Sequence, residues 1–250
     1  MGFRGGERLG PYEVIEPLGA GGMAEVYRGV DTRLNRPVAI KVLPERVSQK
    51  PELRARLEME ARTISKLSHP NICTLYDIGH AEGVDYLVFE LLEGKTLRQE
   101  LAAGAMPMRK VISLAAQIAD GLAKAHEEGV VHRDLKPENL MVCGETVKIL
   151  DFGLAKMAEE LEAEAETEDE GVTVELKTEP GTVMGTVAYM SPEQLGARKL
   201  DFRSDQFSLG VVLYEMVAGK RPFRGKTHTQ MLMALVQDEP EPLAESAPSD

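Results

Sequence analysis

The chain has 250 residues, 43% of them apolar, which suffices for a buried core in one large domain or in two lobes. Its net charge of -12 argues against a nucleic-acid partner, which would need a basic face. Cys73 and Cys143 fit no zinc or redox spacing, the five histidines form no ligand cluster, and no run of about 18 apolar residues offers a membrane span.

In chain order, β-branched and apolar runs broken by Gly and Asn predict three strands of an antiparallel meander over 12–18, 25–30 and 37–43. Apolar residues at 53, 57, 61, 64 and 67 then recur with a helical period, and His69-Pro70-Asn71 stops that helix. Two further strands, over 73–78 and 85–90, complete a small α+β unit of five strands and one helix. Beyond Gly94 the character turns helical. Val111, Leu114, Ala115, Ile118, Leu122 and Ala125 form one stripe, with Gly129 placed to cap its end. Short apolar strands over 140–142 and 147–150 flank a turn at Gly144. Residues 159–170 carry eight acidic side chains and read as a solvated, mobile loop, with a frayed Glu/Ala helix as the rival reading. The most apolar stretch, 207–217, is too short to span a membrane and carries Glu215, so it reads as a buried helix. A last helix falls near 227–236.

Four segments carry chemistry. Residues 18–26, Leu18-Gly19-Ala20-Gly21-Gly22-Met23-Ala24-Glu25-Val26, make a glycine-rich turn between two strands, where backbone N–H groups can approach phosphate oxygens. A tight hairpin would also need those glycines. No helix follows, as a dinucleotide fingerprint would require, and no Gly-Lys-Ser/Thr closes the turn as a Walker A loop. In Val38-Ala39-Ile40-Lys41, alternation turns Lys41 away from the face of Ile40 and Val42, toward an anion that Glu60 or ligand phosphates could supply. His132-Arg133-Asp134-Leu135-Lys136-Pro137-Glu138-Asn139 is more specific. Asp134 can accept a hydroxyl proton, Lys136 can neutralise a moving phosphoryl group, and Asn139 offers oxygen to a hard cation. Twelve residues on, Asp151-Phe152-Gly153 sets a second carboxylate at a strand end.

In this order and spacing the motifs resemble the protein-kinase superfamily, and most closely the bacterial, eukaryotic-like (Hanks-type) Ser/Thr kinases, over nearly the whole chain. The resemblance implies a bilobal α+β fold. It divides the chain into an N-terminal extension over 1–10, a small lobe over 11–90, a hinge over 91–94 and a large lobe over 95–250. It implies transfer of the γ-phosphoryl of Mg-ATP, with Mn2+ as an alternative metal, to Ser/Thr hydroxyls of protein substrates. Residues 18–26 would cover the ATP phosphates, and Lys41 would hold the α- and β-phosphates and pair with Glu60. Phe89 would be the gatekeeper, with Glu90 and Leu92 reading adenine through their backbones and Val26, Ala39 and Met141 sandwiching the base. Asp134 would be the catalytic base and Lys136 its neighbour at the phosphoryl group, with Asn139 and Asp151 as Mg2+ ligands. Asp205 would brace the catalytic turn from the buried helix. Arg133 would receive a regulatory phosphate, for which Thr178 and Thr182 are the candidate sites, with dimerisation as a route to autophosphorylation in trans. The stretch from Gly185-Thr186 to Tyr189-Met190-Ser191-Pro192-Glu193 is similar to the peptide-docking segment of Ser/Thr kinases. A cytoplasmic location is expected, with any membrane anchor lying in a longer parent protein.

Three departures stand out: Ala24 replaces the third glycine of the loop, Ser191 replaces the usual alanine, and the chain stops after the helix near 227–236. Family members continue with further helices, one supplying an arginine to the glutamate matched by Glu193. The resemblance therefore implies a large lobe incomplete at its C-terminus, with Glu193 lacking an arginine and the apolar face of 207–217 uncovered. The alternative function is an ATP-binding pseudokinase or docking module.

Overall fold

The computed structural model describes residues 2–21, 24–44, 51–152, 187–196, 200–225 and 227–243. Among them two units separate, one of residues 2–69 and 73–93, the other of residues 70–72, 94–152 and those from 187 onward.

The first unit is built on an antiparallel sheet in the order β1-β2-β3-β4-β6-β5, with β1 Arg8–Leu9, β2 Tyr12–Gly21, β3 Ala24–Asp31, β4 Arg36–Val42, β5 Leu75–Ala81 and β6 Val84–Glu90. The five strands expected from alternation are all present. The sixth, β1, spans two residues, too few to show a period. Gly10, at φ +58°, and Pro11 turn β1 onto β2 and set Leu9 opposite Tyr12. Alternation then sorts the faces. Tyr12, Val14, Tyr27, Val38, Ile40, Val42, Tyr86 and Val88 pack with Leu9 in one core. In β4, Val38 and Ile40 are fully buried and Val42 nearly so, while the alternate residues Ala39 and Lys41 are half-buried on the opposite face. Each such aliphatic side chain contributes about 1.5–3 kcal/mol by leaving water. Helix α1, Pro51–Ile64, lies against β5 and buries Leu57, Ala61 and Ile64. Its apolar period runs on to Leu67, but there the chain tightens, with the Leu67 N–H donating to the Ile64 carbonyl ahead of His69-Pro70.

Asn71 explains why residues 70–72 belong to the second unit. Its side chain is buried, its Nδ2 donates to the Val147 carbonyl and to Gln117 Oε1, each at 2.9 Å, and its carbonyl accepts the Ile149 N–H at 2.8 Å. These bonds hold a small antiparallel sheet in the order β7-β8-β9, with β7 Lys95–Thr96, β8 Leu140–Cys143 and β9 Thr146–Ile149. The described helices here are α2 Leu97–Leu101, α3 Met108–Glu127, α4 Pro192–Leu195, α5 Phe202–Ala218 and α6 His228–Gln237, with a 3-10 turn at Pro137–Asn139. α3 buries Val111, Leu114, Ile118, Leu122 and Ala125. Gly129, at φ +76°, ends it: the Gly129 N–H bonds His126 O and the Val130 N–H bonds Ala125 O, the pattern of a Schellman cap. α5 starts on the Asp201 side chain, which accepts the Arg203 N–H, and stops at Gly219.

One expectation is corrected here. The apolar face of α5 is not uncovered: Val211, Val212, Tyr214 and Met216 are all buried. The large apolar side chains left exposed in this unit lie mainly elsewhere, at Met108 and Ile112 of α3 and at Met233 and Val236 of α6. The acidic tract over 159–170, the glycine-loop tip Gly22-Met23, Gly153, Thr178, Thr182 and Thr186 lie outside the described residues.

Candidate active site

The octet 132–139 folds into a turn whose polar groups are nearly all committed. Asp134 Oδ2 accepts from Lys136 Nζ at 2.7 Å and from Asn139 Nδ2 at 3.1 Å, and the same Nδ2 donates to the Asp134 carbonyl at 2.8 Å. His132 is fully buried, accepts the Asp134 N–H at Nδ1 (3.2 Å) and donates from Nε2 to the Leu150 carbonyl (2.8 Å). Its ring lies 4.9 Å from that of Phe152. The Leu150 N–H in turn donates to the Asn139 carbonyl at 2.9 Å, so Asp151 is one residue from a direct tie to Asn139. Arg133, at φ +66°, and Asp151, at φ +48°, both adopt the left-handed region. For a side chain as long as arginine that costs about 1–2 kcal/mol, which surrounding bonds must offset.

Asp205 of α5 supplies those bonds. Its Oδ2 accepts the His132 N–H at 2.8 Å and lies 2.7 Å from His126 Nε2, while Oδ1 accepts the Arg133 N–H at 2.9 Å. Burial pushes this carboxyl up, but the bond from His126, the nearby His132 and the two main-chain donors outweigh it and hold its pKa below the ordinary value. Gln194 of α4 adds a second hold, donating from Nε2 to the Arg133 carbonyl at 2.6 Å. Glu193, expected to lack the arginine that family members supply, accepts from Ser204 Oγ at 2.6 Å among the described residues. Burial raises its pKa, and the Ser204 bond leads the effects that leave it lowered overall.

In the first unit, Lys41 stands opposite Val26 on β3 and Leu87 on β6, and Ala39 opposite Phe89. Val26, Ala39, Lys41 and Phe89 therefore share one face of the sheet. Glu60 is half-buried on α1, between buried Leu57 and Ala61. The pairing of β2 with β3 runs out to Gly21 opposite Ala24, which places Gly19, Ala20 and Glu25 along one narrow ribbon beyond Leu18. Glu25 accepts from the Tyr27 hydroxyl. Glu90 ties back to Thr74, its N–H donating to the Thr74 carbonyl at 2.9 Å and its Oε2 accepting the Thr74 N–H at 3.3 Å. Leu92 is half-buried. Met141 belongs to the second unit, half-buried in β8 opposite Lys148 and Thr96.

The residues present fit a hard divalent cation held jointly with phosphate oxygens. Asn139 turns its amide nitrogen to Asp134, which leaves its oxygen directed elsewhere, and Asp151 sits beside it through the Leu150 bond. Two oxygen donors suit Mg2+, which keeps waters and phosphates for its other positions. Among the described residues no cluster of three His, Cys, Asp or Glu could hold an ion alone.

Sequence reasoning missed a second cluster, in which Arg98 of α2 meets Glu138, Glu215 and Tyr189. The one available signal was Glu215, a charge inside the most apolar helix.

Comparison with known proteins gives these turns their class. The chain belongs to the protein kinase domain family, which matches it over residues 12–246, and it is of the bacterial Hanks type. It is 38% identical over 244 residues to the serine/threonine-protein kinase pkn2 of Myxococcus xanthus, covering 96% of this chain and 28% of that one. It is 39% identical over 216 residues to the serine/threonine-protein kinase PknL of Mycobacterium tuberculosis, covering 86% and 51%. A crystal structure of the Mycobacterium tuberculosis PknI kinase domain shares the fold, with a TM-score of 0.70 at 24% identity over 95% of this chain and 86% of that one. The chain thus spans from 28% to about half of the length of these curated relatives. Members of the family use ATP and a divalent metal. No described helix is long and apolar enough to cross a membrane.

Proposed function

We propose that this chain transfers the γ-phosphoryl of Mg-ATP to serine or threonine hydroxyls of protein substrates. The observation that carries the reading is Asp134, a half-buried carboxylate held between Lys136 Nζ and Asn139 Nδ2 on a turn braced by Asp205. A carboxylate so held can orient a hydroxyl and take its proton as the oxygen bonds to the γ-phosphorus and the bond to the β-phosphate oxygen breaks. Lys136, 2.7 Å from that carboxylate, would offset charge on the phosphoryl group in transit. Asn139 and Asp151 would hold the Mg2+, whose contribution when bound is to neutralise the β- and γ-phosphate oxygens. In the first unit Lys41 would hold the α- and β-phosphates and pair with Glu60, while residues 18–26 cover the phosphates. Phe89, Glu90, Leu92, Val26, Ala39 and Met141 would receive the adenine. Thr178 and Thr182 are the proposed autophosphorylation sites, with Arg133 as receiver.

The test is phosphate incorporation into a generic basic protein, followed by phosphoamino-acid analysis. Phosphoserine or phosphothreonine formed only while Mg2+ is present supports the proposal. Nucleotide binding without incorporation would favour the docking-module reading instead.

A further inference from the structure

Arg98 belongs to none of the motifs above, yet it touches two of them. Its Nε donates to Glu138 Oε1 at 2.8 Å, inside the catalytic octet. Nη1 donates to Glu215 Oε1 at 2.8 Å, and Nη2 donates to Glu215 Oε2 at 3.3 Å and to the Tyr189 hydroxyl, which itself donates to Glu215. Arg221 Nε stands 3.8 Å from the same Glu215 carboxylate, so two cations face two anions. Glu215 is 6% exposed and Tyr189 2%, so the network has a buried inner half, while Arg98 reaches out from it to the exposed Glu138. Burial works against the Arg98 charge, but its bonds to Glu215 and Glu138 prevail and hold its pKa above the ordinary value. A lysine could not replace this residue. Only a planar guanidinium offers several donors in a rigid fork to three acceptors at once.

We infer that Arg98 is a positioning residue for the peptide side of the reaction: it clamps the catalytic turn at Glu138 to the segment 187–190 at Tyr189, with Glu215 as the buried anchor. The inference rests on the function proposed above. Tyr189 is also held by Ser208 Oγ, which donates to its carbonyl at 2.8 Å, and α4 just beyond the segment is tied to the turn by Gln194 bonding the Arg133 carbonyl. Those holds do not reach Glu138, and Arg98 does. Asp134, by contrast, is braced through Asp205 and keeps its geometry without Arg98. Loss of Arg98 should therefore loosen the peptide segment relative to the turn and leave nucleotide handling alone.

The test compares wild type, Arg98→Ala, Arg98→Lys and Tyr189→Phe, with dephosphorylated casein as a substrate poor in arginine. For Arg98→Ala the KM for casein should rise by about 10- to 100-fold, the scale of a misplacement of order 1 Å. The KM for ATP should change by less than about twofold, since no nucleotide contact is touched. Guanidinium or ethylguanidinium at low concentration should restore the casein KM, while methylammonium and the lysine variant should not. If Arg98→Ala does not fold, Tyr189→Phe decides the matter: it keeps both charges, and it should raise the casein KM without responding to guanidinium. An unchanged casein KM in the folded variants, or an equal rise in both KM values, would overturn the inference. Amide exchange over 187–190 provides a readout that needs no turnover. Faster exchange in Arg98→Ala supports the clamp, and wild-type exchange there refutes it, even if the wild-type chain phosphorylated nothing and the functional proposal itself had failed.

Discussion

Asp205→Asn removes one charge and one acceptor from a side chain that is 1% exposed and serves three donors. The best asparagine rotamer keeps its oxygen at the position facing His126 and the His132 N–H, and points its NH2 at the Arg133 N–H. One charge-assisted bond is lost and a buried donor is left facing another donor, which costs about 2–4 kcal/mol. For a chain of this size that should lower the melting temperature by about 5–15 °C. Activity should fall further than stability, because the bond that is lost is the one holding Arg133 at φ +66° beside Asp134. Circular dichroism melts read with kcat at a temperature where both proteins are folded separate the two effects. The pH dependence adds a signature. A carboxyl with a depressed folded pKa stabilises the fold above its unfolded value, here 3.8, and loses that contribution as pH falls through the folded value. Wild type should therefore lose stability on acidification below about pH 4, and the asparagine variant should lose less. An unchanged melting temperature, an unchanged acid limb and wild-type kcat together would refute the brace.

Gly94→Ala would put a Cβ 2.3 Å from the Val142 carbonyl oxygen, a backbone atom that cannot swing aside. Denaturant titration should show a loss of at least about 2 kcal/mol from strained pairing of β7 with β8. Lys41→Met should abolish most turnover while the chain keeps its fold, measured as kcat/KM for ATP beside a melting curve, since the sheet core lies on the other face of β4. Incubation with Mg-ATP should place phosphate on Thr178 or Thr182 by mass spectrometry, and a Thr178→Ala/Thr182→Ala double variant should lose part of its activity.

What the sequence made legible were features of short range. Period-two alternation marks β4 because one face of that strand is fully buried, and the stripe from Val111 to Ala125 marks α3 for the same reason. Strand β1 stayed hidden because two residues show no alternation; only Gly10-Pro11 hinted at a turn. The catalytic octet is dense enough in chemistry to be read locally, but its support is not. Asp205 acts across 73 positions on His132, and Arg98 acts across 117 on Glu215, distances at which no spacing rule applies. Asp205 was reached only through the family resemblance, and Arg98 not at all. The expectation of an uncovered α5 failed because it reasoned from what the family adds rather than from what this chain packs: Val212 and Met216 are fully buried.

The central claim is that Asp134 is the base of a phosphoryl transfer, and the most direct measurement is kcat together with nucleotide affinity for wild type and Asp134→Asn. The account predicts unchanged nucleotide binding and a kcat lower by about 10²- to 10⁴-fold, the worth of a positioned base. A variant that binds nucleotide and phosphorylates protein at the wild-type rate would contradict it.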